Sequence, residues 1–421
     1  MIVNRPQAEQ KLSQRKSTWM DTAQLVVSIL VVLVFFGISI LSFVGVAVSG
    51  TLRELREAVP AFWTLGFGFL FLTGIALVSA ISTRQVYYEL SSTKRPKKDT
   101  KWLYFSIAIL PLLIAGGYFV INAKRIPAFL LPLITVLALS VAMLWILKLG
   151  LRDSWGANVK RDSGLFSFSM SFSTFYILLL QIFIFAIVFA IAMAFFFKNV
   201  DFGAIFENLI INPEMQIEDF AIDSDLVLLV LFMVAFSVPL IEELFKTIGV
   251  WFLKPRKISP REGWIAGLMS GAGFGLIEAY LYSMQGVMMT TFPDWLYFIL
   301  GRTGGLLLHT FAGGIVGWGL AKSWREKRPT YAVGAYIVAL LTHSLWNSIA
   351  VGQAVLLNQF DIEVPDVAVY ISLSVLFVAM LVAYLMMSQN IAREPRESIT
   401  KDNQARPYLP QDPAGTSNWS V

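Results

Sequence analysis

Ten apolar runs of about 20 residues or more recur along the 421-residue chain, and they decide the class of fold before any single residue does. At 1.5 Å per helical residue, roughly 20 residues cross the ~30 Å hydrocarbon core of a bilayer. Backbone groups in lipid must find partners inside their own segment, so runs of this length are α-helices. A membrane β-barrel would instead show short segments of alternating polarity, and the chain has none. The expected fold is an all-α polytopic membrane protein with about ten transmembrane helices, at about 23–49, 60–82, 102–122, 127–147, 172–197, 226–253, 263–284, 299–321, 331–352 and 367–388. With 14% charged residues and a mean hydropathy of +0.66, little polar sequence is left for a soluble domain.

Charge orients the spans. With the N-terminus inside, 26 of the 33 Lys and Arg residues fall in cytoplasmic segments and 5 in external loops, so both termini are expected in the cytoplasm. The cell membrane is the expected location. Nucleic acid is not an expected partner, because the net charge of +5 is spread over short loops that set topology. The first run is too long for a signal-peptide core and is read as a retained span. Five regions follow: a cytoplasmic segment 1–22, a five-helix membrane region 23–197, an acidic external loop 198–225, a catalytic membrane domain 226–390 and a disordered polar tail 391–421. The first five spans hold no acid and no histidine, and they are read as a structural extension.

Chemistry gathers in spans six to nine. The absence of cysteine excludes disulfides, thiolate metal sites and cysteine nucleophiles. Span six carries Glu242, Glu243 and Lys246 behind Pro239. Each charge costs about 2.5–3.5 kcal/mol near the bilayer centre, so such groups are functional candidates. Pro239 lacks an N–H and disturbs the helix one turn before the acids. Glu242 and Lys246, four apart, share a face and can pair, while Glu243 points elsewhere. Span seven sets Gly271, Gly275 and Glu278 on one face, a small-residue groove ending in a carboxylate. Arg302 and His309 share a side of span eight with spaced glycines, and His343 and Asn347 share a face of span nine. These are the only two histidines in the chain, on adjacent spans beside three acids.

Four motifs in order, Glu242-Glu243-x-x-Lys246, Gly273-Phe-Gly275-x-x-Glu278, Arg302 with His309, and His343-x-x-x-Asn347, resemble the PrsW family of intramembrane proteases, relatives of the CAAX-protease and bacteriocin-processing group. The motifs span about a quarter of the chain. Ala279 stands where many members have asparagine, and Asn347 where some have aspartate. The resemblance implies hydrolysis of a peptide bond in a membrane-anchored protein, with the paired glutamates and a histidine essential. In the family's best-known case the substrate is an anti-sigma factor.

Two arrangements fit the residues. In one, Glu242 or Glu243 is the general base and a histidine with Asn347 stabilises the oxyanion. In the other, His309, His343 and either Glu243 or Glu278 hold Zn2+, with Lys246, Arg302 and Pro239 in support. A proton- or ion-coupled transporter is the rival reading of the same buried charges. It would call for an inverted repeat, and the two halves of the chain show none.

Overall fold

The computed structural model describes residues 19–87, 102–123, 127–152, 158–196, 229, 231–254, 258–360 and 366–393. The acidic loop at 198–225, residues 1–18 and the tail from 394 lie outside them. All regular structure among the described residues is helical: α1 Trp19–Thr51, α2 Val59–Tyr87, α3 Trp102–Asn122, α4 Leu130–Leu151, α5 Val159–Phe168, α6 Thr174–Phe196, α7 Val238–Phe245, α8 Ile248–Trp251, α9 Pro260–Gly286, α10 Phe292–Glu326, α11 Thr330–Phe360 and α12 Asp366–Arg393. Two π turns, Ser169–Ser173 and Met233–Ser237, lead into α6 and α7. Eight helices among these residues are long and apolar enough to cross a membrane, so the chain is an all-α polytopic membrane protein.

The two other expected spans take different forms. In α3 the described apolar stretch is the shorter Ala108–Asn122. The run at 226–253 is broken into the second π turn, α7 and α8. The fifth span also begins earlier than hydropathy suggests, as a continuous stretch Val159–Ile191. Its polar first turns are held as helix by specific partners: Asn158 caps the Arg161 N–H at 3.2 Å, Lys160 pairs with Asp21 at 2.5 Å, and Arg161 reaches Glu262 at 3.3 Å.

Helices α9 and α10 form the centre, and small residues explain why. A Cβ added at Gly263, Gly267 or Gly271 would collide with the carbonyl of Gly317, Gly313 or His309 respectively. The two backbones therefore touch along three successive turns, which larger residues would forbid. The start of α9 is fixed by a capping box in which Ser259 and Glu262 satisfy each other's backbone N–H groups, with Pro260 in the first turn. Around this pair, buried aromatic residues direct their polar tips at α4. The Trp295 indole donates to Thr135 at 2.9 Å, Tyr280 bonds Ser140 at 2.6 Å, and the Tyr384 hydroxyl donates to the Ile146 carbonyl at 2.6 Å. Each aromatic body adds packing while its polar group stays satisfied.

Candidate metal centre

The site is assembled by α7, α9, α10 and α11 around the middle of the bundle. His309 lies seventeen residues from either end of α10, far from both polar caps. Its backbone is pinned against Gly271, and the missing side chain of Gly275 leaves room for its Cβ. The Phe274 ring meets the imidazole edge-on at 5.1 Å between centroids. The same seam of glycines that joins the helices thus sets the height and direction of the histidine.

The acids reach it through irregular backbone. In the second π turn the Val238 N–H bonds back to the Met233 carbonyl, five residues away. Pro239 follows at once, in the first turn of α7, where its missing N–H does least harm. Asn347 donates its Nδ2 to the Val234 carbonyl at 3.1 Å, and Tyr336 donates its hydroxyl to the Leu240 carbonyl at 2.8 Å. Two side chains of α11 therefore hold the stretch on which Glu242 and Glu243 ride. Asn347, expected from the sequence to help stabilise an oxyanion, uses one amide N–H on this backbone. After the acids, the chain turns at Lys246 and Thr247, and the Lys246 carbonyl accepts hydrogen bonds from Ser270 at 2.5 Å and Ser169 at 3.3 Å.

The two glutamates do different things. Glu243 and Lys246 are wholly buried, and the Lys246 ammonium pairs with Glu243 Oε1. The same oxygen lies 2.8 Å from His343 Nδ1. The sequence suggests a Glu242–Lys246 pair, but spacings of three and four are both neighbours on a helix. Lys246 pairs with Glu243, while Glu242 meets another helix: the Gln181 amide of α6 donates to Glu242 Oε1 at 2.9 Å. Glu243 Oε2 is buried with no hydrogen-bond partner among the described residues. Such an atom is costly to leave unpaired.

Glu242, His309 and His343 bring one ligand atom each within 4.8 Å of one another, and all three residues are buried. The rings of His309 and His343 stand nearly perpendicular, at 89° and 4.9 Å between centroids. The donor types fit a metal ion. In His309, Nε2 faces Glu278 and Nδ1 lies 3.5 Å from Lys246 Nζ, so an ion would take the place of one of these contacts. Glu243 engages Nδ1 of His343, and Nε2 faces Glu242 Oε2 at 3.8 Å, too far for a hydrogen bond. A carboxylate on one ring nitrogen, with the other left for an ion, is the usual support of a metal-binding histidine. The carboxylate in this group is Glu242, where sequence reasoning proposes Glu243 or Glu278. Both of those are engaged: Glu243 by Lys246 and His343, and Glu278 by the His309 Nε2 and, at 3.6 Å, by Arg302. The Arg302 guanidinium also lies 4.3 Å from the centroid of the Tyr282 ring.

A cavity of about 270 Å³ lies between α6 and α9, and Glu242, Glu278 and Gln181 are on its wall. Gln181 escapes sequence reasoning, which treats the first five spans as structural. The available signal is a single amide in the otherwise apolar run Tyr176–Phe196. A sequence model described as PrsW family intramembrane metalloprotease matches residues 175–385, half of the chain, beginning in α6 and so including Gln181. No curated protein and no solved structure matches the chain.

Proposed function

Because the chain belongs to the PrsW family of intramembrane metalloproteases, and is therefore a peptidase, we propose that Glu242, His309 and His343 hold a catalytic zinc ion and that the substrate is a membrane-anchored protein. The observation that carries this reading is the convergence of the chain's only two histidines on one buried carboxylate. Two imidazoles and a carboxylate form a zinc donor set that leaves a coordination position open for catalysis. The family's description as metalloproteases favours this arrangement over direct glutamate chemistry and over a transporter. When bound, zinc supplies a Lewis acid and an acidified water.

The chain's own groups supply the rest. Glu243 acts as a positioning residue: it fixes the His343 ring through Nδ1, and Lys246 balances its charge. Glu278 is the general base. It lies on the cavity wall and beside His309, so it can take the proton of the attacking water and return it to the leaving amine nitrogen. Arg302 holds Glu278 from its other side. Asn347 and Pro239 shape the backbone that presents the acids. The catalytic unit spans about 226–390 together with α6, in a cell-membrane protein whose basic loops favour cytoplasmic termini.

Purified wild-type protein is expected to carry one zinc per chain, and His343→Ala to carry none. Membranes from cells with the wild type should contain cleavage fragments that are missing with His343→Ala or Glu278→Gln at equal expression. A metal-free protein, indifferent to strong chelators and still producing those fragments, would overturn the zinc assignment.

A further inference from the structure

The cavity between α6 and α9 has the construction of a binding groove. Its walls come from one face of each helix: Thr174, Ile177, Leu178 and Gln181 on α6, spaced three and four apart, and Glu278, Tyr282 and Gln285 on α9, also spaced four and three. Its floor and its rim differ. Ile177, Gln181 and Phe274 are buried beside Glu242, whereas Leu178, Tyr282 and Gln285 are exposed. The groove therefore runs from the metal group to an opening on the flank of the bundle, where α6 presents exposed apolar residues such as Leu179 and Phe183. Among the described residues, α6 meets α7 through Gln181–Glu242 and Tyr176–Phe245. Its buried stripe rests on Ile241 and Phe274, and a π turn precedes it.

The polarity of the walls identifies the occupant. A peptide must leave its helix before its carbonyl can be attacked, and each unpaired backbone group at membrane depth costs several kcal/mol. The groove offers apolar walls for side chains and, along the same path, the carboxamide of Gln285, the hydroxyl of Tyr282 and the carboxamide of Gln181, which also donates to Glu242. Carboxamides donate and accept, which matches the two needs of an exposed peptide backbone. An ion or proton path would have no use for the leucine and phenylalanine walls.

We propose that the α6–α9 groove binds an unwound, apolar segment of a membrane-spanning polypeptide, admitted sideways from the lipid between these two helices. The proposal rests on the zinc-protease reading above. With Glu242 and Glu278 both on its wall, the groove should also reject acidic side chains near the cut.

Two hydroxamates separate the groove from the metal. Acetohydroxamate is a metal-binding group alone, and the hydroxamate of leucyl-leucine adds two apolar residues. On zinc-loaded full-length protein in lipid nanodiscs, the leucyl-leucine compound is expected to bind at least tenfold tighter than acetohydroxamate. Leu281→Trp on one wall, or Leu178→Trp on the other, should erase that margin while acetohydroxamate still binds. Leu341→Trp, at an exposed position on α11, should preserve it. A wild type that binds both compounds equally, a margin that survives both wall variants, or an equal loss of both compounds in both variants would overturn the proposal. Failure of the wild type to bind either compound would instead strike the zinc reading, and the groove proposal would fall with it.

Discussion

The first membrane helices bury neutral hydroxyls, many bonded within their own helix and a few across helices as in Ser28–Ser79 and Ser39–Gly66, whereas helices α7 to α11 also bury carboxylates, imidazoles and an ammonium. In α1, α2 and α4, Ser42, Thr64, Thr73, Thr83 and Thr135 each donate to the carbonyl four residues earlier in the same helix. Those hydroxyls are satisfied locally, so each helix could carry them alone. Around the candidate metal centre key bonds run between helices: Gln181 to Glu242, His343 to Glu243, Glu278 to His309, and Asn347 to Val234. The set as a whole is satisfied only when α6, α7, α9, α10 and α11 have packed together. A charged residue in a membrane span is more informative about function than a hydroxyl, since its burial costs more and partners on other helices have to meet it.

Substitutions can test that contrast, and the largest effect should come from Lys246. Lys246→Met leaves Glu243 as an uncompensated buried charge, and removal of one partner from a buried pair costs about 3–5 kcal/mol. Unfolding of the detergent-solubilised protein should record this loss, and adding Glu243→Gln should recover much of it. If Lys246→Met is as stable as the wild type, the pair is not a structural element of the centre.

Gly271→Val should come next. Its side chain would strike the His309 carbonyl, and overpacking of this kind costs about 1–3 kcal/mol. Zinc affinity should fall with it, because His309 must move. Gly301→Ala, at a position open on every side, should change neither property. Equal effects of the two would mean that the backbone seam does not position the histidine.

Asn347→Leu leaves the Val234 carbonyl without its side-chain donor, a loss of about 1–3 kcal/mol where the group stays buried. Its diagnostic outcome is a fall in stability that accompanies any fall in cleavage. Lost cleavage at unchanged stability would return Asn347 to an oxyanion role. The smallest effect is expected in the first region: Thr73→Val removes only a bond within α2 and should shift unfolding by less than about 0.6 kcal/mol. A larger shift would blur the division between the two regions.

Much of this could be read from the chain. Apolar run lengths pointed to helices, and two histidines beside three acids marked the centre, because charged groups are too costly in lipid to be incidental. Partner choice was not legible. Spacing on one helix allows Lys246 to meet either glutamate, and only the packed bundle shows it on Glu243 with Gln181, 61 residues away in sequence, on Glu242. The polar start of α5 was missed for a similar reason: hydropathy scores residues singly, whereas Lys160 and Arg161 are neutralised by Asp21 and Glu262.

A helical membrane protein, and the candidate residues for its chemistry, were therefore legible in the amino-acid chain, since both follow from the cost of exposing backbone or charge to hydrocarbon. How those residues divide the work emerged only when the helices were packed. Glu242 joins the histidines, Glu243 supports one of them, Asn347 holds the backbone, and α6 closes the cavity. Those roles depend on distances between helices, which are set by the glycine contacts of α9 and α10 and by side chains that meet only when the bundle is complete.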